Sequence, residues 1–109
     1  MQKLLTSSAV DDETTLATIA DVESKYGYLL DPHSAVGVRA SLDHLEPGIP
    51  TMTMATAHPA KFADAIRAAT GHEPPIPPAL AGLDKLPRHI ENLPGTLAAV
   101  QGFIAKSLS

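Results

Sequence analysis

Thr56-Ala57-His58-Pro59-Ala60-Lys61-Phe62 is the stretch on which the fold of this 109-residue chain turns. Upstream of it, Thr51-Met52-Thr53-Met54-Ala55-Thr56 alternates polar with apolar residues, the period of a strand. The alternation puts Thr51 and Thr53 on one side and the methionines on the other. Pro59 predicts a helix start, because its missing N–H is one the first helical turn leaves unpaired anyway. Phe62, Ala65, Ile66 and Ala69 then share one apolar face, and Gly71 marks the stop. A strand running into a helix places Thr56 where open α/β sheets bind ligands, beyond a strand's carboxyl end. The helix start adds unpaired N–H groups and a dipole that favours anions. The Thr56 hydroxyl can meet a bound ring or oxyanion there, or simply cap the helix. His58 suits acid–base work, anion binding when protonated, or a polar niche at the helix end.

A second run of this kind, Asp31-Pro32-His33-Ser34-Ala35-Val36-Gly37, lies upstream. Asp31 reads as an N-cap and Pro32 as the first helical residue. Ala35, Val38, Leu42 and Leu45 form the stripe of the helix that follows, and Pro47-Gly48 is its expected end. Before it, Asp11 or Asp12 caps a helix with Leu16, Ile19, Val22 and Tyr26 on its inner face, stopped by Gly27. Leu4-Leu5 reads as the end of a further strand.

Downstream, Pro74, Pro75, Pro77 and Pro78 make 72–78 a stiff extended connector. A short helical turn is expected within 78–85, irregular chain over 87–93, and a last helix from near Pro94 carrying Leu97, Val100, Ile104 and Leu108. The expected architecture is α/β, predominantly helical with one or two short strands, in a single domain over 1–109.

Composition narrows the function. Hydrophobic residues make up 44% and aromatics only 4%, so a core rests on aliphatic side chains. That is thin for a domain standing alone, and fits a segment packed against more protein. The net charge is −4, and the eight basic residues are scattered, which argues against nucleic-acid binding. No apolar run reaches the ~18 residues of a membrane span. The N-terminal apolar stretch is too short for a signal peptide, and cysteine is absent, so a cytoplasmic setting is expected. The histidines at 33, 44, 58, 72 and 89 form no metal-binding spacing. The glycines are isolated, so no phosphate-cradling loop is present. Lys61 has no neighbour to lower its pKa and reads as a solvated lysine.

Two segments carry a resemblance. Tyr26-Gly27-Tyr28-Leu29-Leu30 leading into the Asp31–Gly37 run, and Ala55 leading into the Thr56–Phe62 run, resemble motifs of threonine synthases in order and separation. The Pro-rich connector and Asn92-Leu93-Pro94 before a last helix are similar to that family's C-terminus. The resemblance spans about residues 10–108.

It implies the C-terminal part of a pyridoxal-phosphate enzyme of the β family (fold type II), a carbon–oxygen lyase acting on phosphates. Such enzymes make L-threonine from O-phosphohomoserine and water, releasing phosphate. Thr56 then corresponds to the hydroxyl residue at the cofactor's pyridine nitrogen, and Asp31, His33, Ser34 and His58 to candidate pocket-lining residues. The family's Schiff-base lysine and phosphate loop lie upstream of these motifs and have no counterpart here. The chain alone is therefore expected to be inactive, with the N-terminal remainder of the enzyme as its partner. Its uncovered faces invite self-association. The alternative is a free-standing helical protein-interaction module without catalysis. A hydrolytic Thr56–His58 pair lacks an identifiable orienting carboxylate.

Overall fold

The computed structural model describes residues 5–108. Helix α1 spans Asp12–Tyr26. Its N-cap is Asp11, whose carboxylate accepts the Thr14 N–H at 2.8 Å. Gly27 closes it at φ 65°, a conformation that glycine adopts without steric cost, and donates its N–H to the Glu23 carbonyl at 2.8 Å. Helix α2 spans Pro32–Leu42, capped by Asp31. It stops short of Leu45 and of Pro47-Gly48. Asp43 and Glu46 are unfavourable at the negative end of a helix, and the residue before Pro47 is steered away from helical angles. Leu42 and Leu45 are accordingly exposed.

Residues 50–56 run extended without a sheet partner, and among the described residues no strand forms. The expected strand is thus not shown among the described residues. A strand exists only where a neighbour completes its ladder of hydrogen bonds, and the described residues offer none. Leu4 of the expected Leu4-Leu5 strand end lies outside the described residues, and Leu5 is exposed.

The helix expected from Pro59 is divided. A 3₁₀ turn covers Pro59–Phe62 and helix α3 covers Ala63–Thr70, with a break at Phe62 (φ −130°, ψ 46°). Gly71 ends α3 at φ 80°. Two further 3₁₀ turns, Pro78–Leu80 and Leu83–Lys85, occupy the stretch expected to hold one short turn. Helix α4 spans Leu97–Ser107, and Thr96, rather than Pro94, sets its start by accepting the Ala99 N–H at 3.3 Å.

Helix α1 packs on both α2 and α3. The core between them is Ile19, Leu30, Ala35 and Ile66, with Leu16, Val22, Leu29, Val38 and Ala69 around it. Ile19 and Ile66 are fully buried, each contributing roughly 2–3 kcal/mol of apolar burial. Thr15 and Thr18 are buried too, because their hydroxyls bond back to the Asp11 and Thr14 carbonyls at 2.7 Å. Tyr26, expected inward, is 76% exposed.

The start of the connector is tied back onto these helices. Arg67 on α3 donates from Nε to Glu73 at 2.6 Å, and the His72 imidazole reaches Glu23 on α1 at 3.1 Å. Pro74, next in the chain, is buried.

The whole is elongated. The radius of gyration is 19.2 Å, whereas a compact chain of this length measures about 13 Å. The accessible surface is 8874 Å², against about 5,800 Å² for a compact monomer of this mass. The difference is of the order of a large obligate interface. Leu97, Val100, Phe103, Ile104 and Leu108 on and after α4 are all exposed, as are Met52, Met54 and Ile76. Among the described residues no helix is long and apolar enough to cross a membrane.

Candidate functional site

The first run is organised by Asp31. Its carboxylate is 2% exposed and sits at the start of α2. Oδ1 accepts the N–H of His33 at 3.0 Å and of Ser34 at 3.4 Å, and the His33 Nδ1 at 3.2 Å. The Ser34 hydroxyl donates to Oδ2 in a short hydrogen bond. Burial pushes this carboxyl up, but the Ser34 and His33 donors together outweigh it and hold it below the ordinary value. Asp31 and Ser34 are thus engaged with each other inside the α2 cap.

His33 is the exposed member of the group. Its ring faces Phe62 of the second run, with centroids 5.0 Å apart. The two runs, separated by about twenty residues, are therefore in contact.

In the second run His58 is the N-cap of the 3₁₀ turn. Its Nδ1 accepts the Ala60 N–H at 3.1 Å. An accepting Nδ1 leaves the proton of the neutral ring on Nε2, as an outward donor. His58, Ala60 and Lys61 form one wall of a groove of about 760 Å³, and Ile76 and Leu80 to Leu83 the other. Lys61 is exposed.

Thr56 stands just before this turn. It is exposed, and its hydroxyl has no hydrogen-bond partner among the described residues. Thr53, half-buried, and Ala55, exposed, line a groove of about 440 Å³ with Val22, Ser34 and Val38. Met52, Met54 and Thr56 are all exposed, the methionines 84% and 71%.

Thr53 is held by contacts that no motif announced. Thr53 Oγ1 lies 2.9 Å from Ser41 Oγ, which also donates to the Gly37 carbonyl at 2.7 Å. A Cβ on Gly37 would come within 2.9 Å of Thr53 Cγ2. The one available signal was the four-residue spacing of Gly37 and Ser41, which puts both on one helix face. Among the described residues no group of three or more acidic or histidine side chains could hold a metal.

The arrangement is an open face with a hydroxyl unpartnered among the described residues, next to two helix starts, on a body whose apolar surface is largely uncovered. The family model for the C-terminal region of threonine synthase matches residues 34–104. The chain belongs to the threonine synthase C-terminal family. It is 43% identical over 107 residues to threonine synthase from Pseudomonas aeruginosa, covering 96% of this chain and 23% of that protein. It is 41% identical over 99 residues to the Escherichia coli K12 threonine synthase, covering 91% and 23%.

The crystal structure of threonine synthase from Escherichia coli superposes with a TM-score of 0.86 at 38% identity, over 98% of this chain and 25% of that one. The crystal structure of PLP-bound threonine synthase from Brucella melitensis matches with a TM-score of 0.73 at 44% identity, over 87% and 20%. The chain thus spans under a quarter of the length of the curated relatives it matches. The predominantly helical character expected from the sequence agrees with that C-terminal part.

Proposed function

We propose that this chain is the C-terminal part of a threonine synthase and forms the wall of its pyridoxal-phosphate site that meets the ring nitrogen. The parent reaction converts O-phosphohomoserine and water to threonine and phosphate. The observation that carries this is Thr56: an exposed hydroxyl without a partner among the described residues, on the open face of the 50–56 segment. The residues present fit one end of the cofactor. A neutral hydroxyl suits an unprotonated pyridine nitrogen, and Met52 and Met54 beside it suit a flat apolar ring. The anchoring lysine and the phosphate-binding loop come from the rest of the enzyme.

When bound, the cofactor supplies an electron sink for carbanion chemistry. The Thr56 hydroxyl would donate a hydrogen bond to the ring nitrogen and leave that nitrogen unprotonated, where a carboxylate would hold a proton on it. Asp31 works at one remove. It fixes the start of α2 and orients His33, which holds Phe62 and with it the turn after Thr56. His58 Nε2–H is an outward donor at the rim of the site.

The test is a chimera in which this chain replaces the matching segment of the Pseudomonas aeruginosa enzyme. It should release phosphate from O-phosphohomoserine. The chain alone with pyridoxal phosphate should release none and should show no lysine trapped by borohydride. Thr56→Val should lower kcat/KM roughly tenfold or more, the scale of one lost buried hydrogen bond. A folded, cofactor-loaded chimera without activity would overturn the proposal, as would turnover by the chain alone.

A further inference from the structure

Gly37, which closes the first run, and Ser41 and Thr53, which lie between the two runs, have no role in either motif reading. Gly37 on α2 carries no side chain where Thr53 approaches: an added Cβ would sit 2.9 Å from Thr53 Cγ2. That is closer than two carbons can come without one moving. One turn further along α2, the Ser41 hydroxyl bonds the Gly37 carbonyl at 2.7 Å and lies 2.9 Å from Thr53 Oγ1. Both branches of the Thr53 side chain are therefore in use, the methyl over the glycine and the hydroxyl on the serine. Rotation of Thr53 to relieve pressure on the methyl would carry the hydroxyl off Ser41, because the branches turn together. Gly37 has an ordinary helical conformation, so conformational freedom does not explain it. Space for Thr53 does.

We propose that Gly37, Ser41 and Thr53 form a clamp that holds the extended segment on α2, which makes Gly37 and Ser41 positioning residues for the Thr56 hydroxyl. The inference rests on the reading of Thr56 above and names what regulates its position. Among the described residues, the contacts of Thr53 with Ser41 and Gly37 tie this segment to α2. Thr53 is half-buried and Thr56, three residues later, is exposed. Only two residues separate Thr53 from Thr56, so a displacement of Thr53 moves the backbone that carries the Thr56 hydroxyl.

The test uses the chimeric holoenzyme, with two readouts besides turnover: the dissociation constant for pyridoxal phosphate, and amide exchange of residues 51–56 in the apo form. Gly37→Ala should weaken cofactor binding about tenfold, the scale of one misplaced hydrogen bond, and should speed exchange over 51–56. Adding Thr53→Ser removes the methyl that the new Cβ meets and keeps the hydroxyl for Ser41. The double variant should return both readouts to within about twofold of the parent, the coupling a double-mutant cycle detects between touching residues. Parent-like exchange in G37A overturns the clamp. So does a double variant that stays as impaired as G37A, since the defect would then lie in the helix itself. Thr56→Val separates the clamp from the cofactor reading. An unchanged cofactor affinity in T56V, with fast exchange in G37A and rescue by T53S, removes Thr56 from the cofactor and leaves the clamp standing.

Discussion

The imidazole of His33 lies against the ring of Phe62, with centroids 5.0 Å apart and planes inclined at 56°. A tilted pairing of this kind is attractive beyond the area it covers. It joins the start of α2 to the 3₁₀ turn that follows Thr56, and Asp31 holds the His33 Nδ1 from the other side at 3.2 Å. The contact makes the two motifs a single unit. Phe62→Ala should destabilise the chain by about 1–2 kcal/mol, for a half-buried ring. Phe62→Leu keeps most of the area and should recover over half of that, measured by urea unfolding followed by circular dichroism.

Asp31 should make the fold sensitive to acid. Its folded carboxyl lies below the ordinary 3.8, because the Ser34 and His33 donors outweigh the burial that pushes it up. The linked stability is fully present above the ordinary value and is lost as pH falls through the folded one. Asp31→Ala should cost about 2 kcal/mol near neutral pH, the upper range for a lost cap. The gap between variant and parent should narrow below about pH 4. A gap that stays constant into acid would remove the charged cap from the account.

His72 should give a dependence of the opposite sign. Its Nδ1 donates to the Glu73 carbonyl and its Nε2 to Glu23, both at 3.1 Å, and an imidazole donating from both nitrogens is the cation. These contacts, the backbone one first, raise its pKa above the ordinary 6.5. The contribution is fully present below that value and fades as pH rises through the folded one. Between about pH 6 and about pH 8 the parent should lose a little thermal stability that His72→Gln does not lose, by differential scanning fluorimetry. The pair is exposed, so the effect should be small and reduced by salt.

The face of α4 should govern association. Val100, Phe103 and Ile104 are exposed together on it, and no residue of the helix is buried. An apolar stripe of this kind ordinarily lies against other protein. In sedimentation, the isolated chain should associate as its concentration rises, and Phe103→Glu with Ile104→Glu should shift it towards monomer. In the chimera the same pair should lower the yield of folded enzyme, since the charges would meet a surface built for apolar contact.

Much of the local structure was legible from residue types. Asp31 followed by Pro32 starts a helix wherever it occurs, and Gly27 and Gly71 end helices because each stands where the chain needs a positive φ. The position of Thr56 just before a helical turn was legible for the same reason. Whether 51–56 pairs as a strand was not: alternation is a property of the segment, but a strand is a property of a pair, and the described residues supply no second member. Tyr26, Leu42 and Leu45 have the right spacing to be buried and are exposed, because spacing names a face without saying whether anything covers it.

The sequence by itself determined where helices begin and end, since capping, proline geometry and glycine's left-handed conformation act within a few residues. Only the tertiary structure decided that His33 would meet Phe62, that Thr53 would rest on Gly37, and that the Thr56 hydroxyl would be exposed and unpartnered among the described residues. Those outcomes depend on how α1 gathers α2 and α3 around Ile19 and Ile66, and packing between segments distant in the chain leaves no local signature.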